Sequence, residues 1–91
     1  MLYKKLIYSI LALNSLEEIS KRISDDSLIR AEKFVESLIL KVQNLKQFPN
    51  LGVNIGNGQY KYVLDKNYIA IYTVVDSKIY ILHIINVKKE N

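Results

Sequence analysis

Apolar residues recur along the chain in distinct rhythms, and each rhythm predicts a different element. Residues 2–8, LYKKLIY, are aromatic and apolar enough for a strand whose two lysines, Lys4 and Lys5, suit an exposed sheet edge. From Ser9 the period changes: Ala12, Leu16, Ile19 and Ile23 follow at spacings of four, three and four, which predicts an amphipathic helix. The polar cluster Ser24-Asp25-Asp26-Ser27 ends that helix and offers capping oxygens and negative charge to the start of another. Leu28, Ala31, Val35, Leu38, Val42 and Leu45 then keep a three-and-four spacing, a second helix of about five turns. Phe48-Pro49 stops it, because proline lacks the amide that continuation needs and disfavours helix in the residue before it.

Beyond the proline the rhythm shortens. Residues 51–58 are rich in glycine and asparagine and predict a connection. Residues 60–64, 68–75 and 79–87 are β-branched and tyrosine-rich runs, separated by Asp65-Lys66-Asn67 and Asp76-Ser77-Lys78, so they predict an antiparallel meander. The order β-α-α-β-β-β is an α+β layout, a helical hairpin packed on a small antiparallel sheet that the first strand must rejoin. Residues 69–75 are nearly all apolar and predict a central strand covered on both faces, whereas 60–65 alternate and suit a place nearer an edge.

Composition narrows the class. Ninety-one residues hold one core but not two, so residues 1–91 are expected to form one domain; 49% apolar residues with three Gly and one Pro belong to a folded chain. Lys4, Lys5, Asn14, Glu17 and Glu18 break the N-terminal apolar stretch before it could span a bilayer. The same stretch lacks a small-residue cleavage site and continues directly into helix, which argues against a signal peptide and for a cytoplasmic protein without membrane partners. No cysteine and a single histidine leave little with which to hold a metal, and nothing calls for a cofactor. The net charge of +4 is spread over both halves, so neither is a basic tail, and charge alone fits nucleic acid, an acidic protein or simple solubility.

The residues able to do chemistry are few. RNA cleavage through the 2′-hydroxyl needs a base, an acid and positive charge on the phosphate, and the candidates are Lys61, His83, Lys88 and Lys89, with Tyr62 or Tyr80 as stacking surfaces. Each has a plainer reading. His83 falls in an apolar run where an imbedded imidazole is ordinary, and a terminal lysine pair is usually solvated. Tyr68 and Tyr72, four apart on one strand, share a face and are assigned to packing, which leaves Tyr60 and Tyr62 as the more accessible pair. Gly56-Asn57-Gly58 precedes a strand and lacks the Lys-Ser/Thr of a phosphate loop, so it is a turn. Glu32 and Glu36, four apart, mark a solvated helix face.

Taken in order, these pieces resemble the RelE/ParE toxin superfamily. Its second helix closes on an apolar residue, polar residues, then Pro and Gly, as in Leu45-Lys46-Gln47-Phe48-Pro49-Asn50-Leu51-Gly52. Its third strand carries Tyr-x-x-x-Tyr and a Val-Asp turn, as in Tyr68-Ile69-Ala70-Ile71-Tyr72 and Val75-Asp76. Its ParE-like closing strand runs into a basic pair and an acid, as in Ile81 through Val87 and then Lys88-Lys89-Glu90. The chain departs from the pattern where many members place arginine: Ile69, His83 and Lys88-Lys89 stand there, and lysine does not reproduce the bidentate fork of arginine. The sequence given ends at Asn91, without the tyrosine and basic residues that ribonucleolytic members place after the last strand. The resemblance therefore implies a ParE-like toxin of a bacterial type II toxin–antitoxin pair. Such a toxin binds DNA gyrase through residues such as Lys61, Lys88 and Lys89, has no chemistry of its own, and is neutralised by a cognate antitoxin. The alternative it implies is a RelE-like, metal-independent endoribonuclease acting on ribosome-bound mRNA; a further alternative is a degenerate, non-toxic interaction module.

Overall fold

A computed structural model describes residues 5–88. β1 (Lys5–Tyr8) leads into α1 (Ile10–Ser24) and α2 (Leu28–Gln43), and a 3₁₀ turn at Asn44–Lys46 closes the second helix. β2 (Val53–Gly56), β3 (Gln59–Asp65), β4 (Tyr68–Val75) and β5 (Lys78–Asn86) follow. The segments at residues 2–4 and 89–91, including Lys4 and Lys89, lie outside the described residues.

Both helices begin where the sequence offers a cap. The Ser9 hydroxyl accepts the Ala12 amide at the start of α1, and the Ser27 hydroxyl accepts the Arg30 amide at the start of α2. Ser9 does more than cap: its Oγ donates to the Leu82 carbonyl at 2.8 Å, and its amide donates to the Ile81 carbonyl. The first helix is thereby anchored on the last strand.

The sheet has five strands in the order β1-β5-β4-β3-β2. β1 runs parallel to β5, with Lys5 opposite Lys78 and Tyr8 opposite Ile81, and the remaining pairs are antiparallel. The expected meander is therefore present, but the returning first strand makes the sheet mixed. A parallel neighbour needs a crossover, and here the connection runs through the helical hairpin and then through β2, β3 and β4.

Residues 51–58 are not a plain connection, since β2 occupies four of them. The dipeptide Asn57-Gly58 turns β2 into β3 with φ of 57° and 72°, the two positive values that a type I′ hairpin uses. β2 takes the sheet edge, so β3 lies one strand further in than its alternation suggests. β4 is central as expected, yet the helices cover one of its faces only. Tyr68, Ala70 and Tyr72 are buried, while the intervening Ile69, Ile71 and Thr73 are half-buried.

The core lies between that covered face and the hairpin. Ala12, Leu16 and Ile19 of α1 and Leu38 and Val42 of α2 meet Leu64, Ala70, Tyr72, Ile79, Ile81 and Ile84 of the sheet. The ring of Phe34 tilts against Tyr68 at 5.8 Å, and Tyr60 stacks on Tyr72 at 5.4 Å. Tyr72 also fastens the loop after α2: its hydroxyl donates to the Pro49 carbonyl at 2.7 Å and accepts the Gly52 amide at 2.9 Å. Gly52 is required by closeness, because a Cβ there would stand 2.7 Å from the Tyr72 ring and hydroxyl.

Candidate functional site

Strand alternation sends every second side chain to the face that no helix covers. Since Leu6, Tyr8, Tyr60, Tyr62 and Val74 pack on the core side, their neighbours Lys5, Ile7, Lys61, Val63, Thr73 and Val75 project from the other. Cross-strand register sorts this open face into rows. Val53, Lys61, Ile71 and His83 form one; Val63, Ile69 and Ile85 form the next. Gln59, Thr73, Tyr80 and Ile7 form a third, and Val75, Lys78 and Lys5 a fourth. A register shift between Ile71 and Tyr72 on β4 leaves Leu82 as an extra residue on β5, which lets His83 and Tyr80 both keep to the open face.

The chemistry of these rows is unlike that of an ordinary solvated sheet, where the outward positions are polar. Six of their members are isoleucine or valine in the rows through Ile71, Ile69 and Tyr80, and Val53 and Val63 remain 62% and 55% exposed. Charge on the rows is of one sign: Lys5, Lys61 and Lys78, with no carboxylate among them. An apolar floor studded with cations suits an acidic, amphipathic surface, where apolar area gives affinity and the lysines give steering.

Of the sequence-level candidates, Lys61 and His83 are brought into one row, with Ile71 between them. Two strand spacings separate their backbones, about 10 Å, close enough for both to flank one bound group. Lys88 is exposed past the end of β5, its amide held by the Asn86 side chain at 2.9 Å, and it does not join that row. Lys89 lies outside the described residues. Tyr80 stands on the open face opposite Thr73. Tyr60 and Tyr62 are more accessible than Tyr68 and Tyr72, but they lie on the helix side, where Tyr60 stacks on Tyr72 and the Tyr62 hydroxyl meets the Asn44 amide group at 3.5 Å. They are packing residues, not a platform.

A second feature borders the first. The β1 ladder ends at Tyr8 opposite Ile81, so residues 82–86 of β5 have no strand beside them on that side. A cleft of about 250 Å³ opens there, lined by Ser15, Glu18 and Arg22 of α1 and by His83 and Asn86 of β5. The apolar run of β4 predicts a strand covered on both faces, whereas the helices cover one and leave the other open. The signal was present: a run with no polar alternation, in a chain with only two helices, leaves one face of the sheet without a cover.

The two helices on a five-stranded, mostly antiparallel sheet define a small α+β fold. A solved structure of the chromosomal ParDE TA system from P. aeruginosa superposes with a TM-score of 0.83 at 23% identity, covering 94% of this chain and 98% of that one. The family described as the ParE toxin of the type II toxin-antitoxin system, parDE, matches residues 6–90, and the chain belongs to it. A comparison with curated proteins found no match. No helix among the described residues is long and apolar enough to cross a membrane.

Proposed function

We propose that this protein is the growth-inhibiting partner of a type II pair, acting in the cytoplasm by binding DNA gyrase, and that a cognate antitoxin neutralises it by covering the open sheet face. The observation that carries the binding reading is that face: half-exposed isoleucines and valines in register with Lys61, Lys5 and Lys78. Such a surface favours association, since burying its apolar side chains supplies the driving force and its lysines steer an acidic partner. The family and the resemblance of the closing strand to ParE-like members support gyrase as the target.

One observation favours a second reading. Lys61 and His83 share a row, and an imidazole and an ammonium flanking a phosphate are what a metal-free ribonuclease uses, with ribosome-bound mRNA as the substrate. Purified protein added to a gyrase supercoiling reaction and, separately, to programmed ribosomes distinguishes the two. Loss of supercoiling with intact message is expected. Cleaved message with gyrase untouched would overturn the gyrase reading and move Lys61 and His83 into an active site.

A further inference from the structure

The hairpin between β2 and β3 turns on Asn57 and Gly58, both exposed, and this is the only Asn-Gly step in the sequence. Asparagine is thermolabile because its side-chain carbonyl carbon lies one ring closure away from the next backbone nitrogen. Three conditions favour that closure, and the turn meets them. The Gly58 amide donates to no acceptor among the described residues, so nothing holds its proton. The Asn57 carboxamide is likewise unbound among them. Space around Gly58 is open: a Cβ there would meet only the Thr73 hydroxyl, at 4.0 Å, and glycine brings no Cβ to obstruct the approach. The other asparagines lack this combination. Asn54 Oδ1 accepts the Gly56 amide at 2.7 Å, Asn86 Oδ1 accepts the Lys88 amide at 2.9 Å, and Asn44 Nδ2 donates to the Tyr62 hydroxyl. Asn14, Asn50 and Asn67 are each followed by a residue with a side chain.

We propose that Asn57 is a site of spontaneous deamidation through a succinimide, and that the isoaspartyl product releases β2 from the sheet. Hydroxide removes the Gly58 amide proton, the nitrogen attacks Asn57 Cγ, and the side-chain nitrogen departs as ammonia with a proton from water. One C–N bond forms and one breaks, with no change of oxidation state. Water then opens the ring. Opening at Cγ gives aspartate; opening at the main-chain carbonyl gives isoaspartate, whose backbone runs through Cβ and Cγ. In sum, one water is consumed and one ammonia released. Aspartate suits the turn, since Asp-Gly supports the same positive φ values of 57° and 72°. Isoaspartate does not, because an added backbone carbon lengthens a two-residue turn that must bring Gly56 opposite Gln59. β2 has four residues, one strand neighbour and a bulge between Asn54 and Gly56, so little else keeps it in place. Where it departs, Val53 leaves its place beside Lys61. The chemistry belongs to the turn and holds whatever the open face binds.

The full chain is aged at physiological temperature in neutral and mildly alkaline buffer, beside Asn57→Gly, which keeps a turn-forming Gly-Gly pair and has no amide to lose. Freshly purified Asn57→Asp serves as the second control. Trypsin releases residues 47–61, whose fragmentation spectra locate the mass gain, and isoaspartyl methyltransferase reports the β-linked product. The expected result is a mass gain at Asn57 ahead of every other asparagine, faster as pH rises and absent from this peptide in N57G. Hydrogen exchange at β2 should quicken at least about tenfold in the isoaspartyl fraction and stay near the parental rate in N57D. Modification that falls chiefly on another asparagine, or none at Asn57, overturns the site. An isoaspartyl fraction that keeps parental protection at β2 overturns the release of the strand.

Discussion

The Tyr72 hydroxyl and the Gly52 amide are joined at 2.9 Å across the gap between the central strand and the loop that follows the second helix. The same hydroxyl reaches the Pro49 carbonyl, so one side chain satisfies a donor and an acceptor of a segment with little regular structure of its own. That loop delivers β2 to the sheet, and the phenol sets where it arrives. Tyr72→Phe removes both bonds and leaves two half-buried backbone groups unpaired, an expected loss of about 1–3 kcal/mol. Gly52→Ala forces a methyl group against the ring and costs a similar amount. Because both act on one contact, the double variant should lose less than the sum, which urea unfolding of the three proteins measures.

Tyr8 has the opposite defect. Its hydroxyl is buried with no hydrogen-bond partner, and burial raises its pKa above the ordinary tyrosine value. Burial likewise raises the pKa of Tyr72. A raised pKa means that the folded state holds its proton where the unfolded chain releases it. The associated stability is complete below the unfolded value of about 10 and falls as pH rises beyond it. Tyr8→Phe should therefore match or exceed the parent in stability at neutral pH and lose less of it at alkaline pH. Thermal melts at neutral pH and above pH about 10 check both halves.

Ser9 and Ser27 cap their helices alike, but only Ser9 also grips β5. Ser27→Ala should cost about 1 kcal/mol, the usual value of an N-cap. Ser9→Ala should cost more, about 1.5–3 kcal/mol, because it also strands the Leu82 carbonyl. Equal losses in chemical denaturation would show that the link to β5 carries no stability.

The open face predicts function without affecting folding. Lys61→Glu and Val63→Asp alter exposed side chains, so unfolding free energies should stay within about 0.5 kcal/mol of the parent. Growth arrest on induced expression should nonetheless weaken for both. Full toxicity in folded variants would remove this face from target recognition.

Much of this architecture was legible in the chain. The three-and-four spacing from Ala12 to Leu45 placed both helices, and Ser9, Ser27 and Pro49 marked their limits to within a few residues. The β4 run and its flanking turns gave the meander. What local pattern does not encode is where strands go once formed. The parallel seat of β1 beside β5 depends on how the whole intervening chain returns, and β2 is only four residues, held by its turn and its neighbour instead of by propensity. Asn57-Gly58 between Ile55 and Tyr60 was the available hairpin signal. The candidate residues were half legible for the same reason. Type and spacing proposed Lys61 and His83, but only register shows that they stand in one row and that Lys88 does not.

The seat of β1 also bears on when the protein exists during its own synthesis. Its strand partner lies at residues 78–81, so β1 leaves the ribosome well before the strand it pairs with. Ser9 likewise has nothing to grip until Leu82 has emerged. A ribosome stalled partway through the message carries a chain that has helices but no closed sheet. The surface that the closed sheet presents is thereby withheld until β5 has been made.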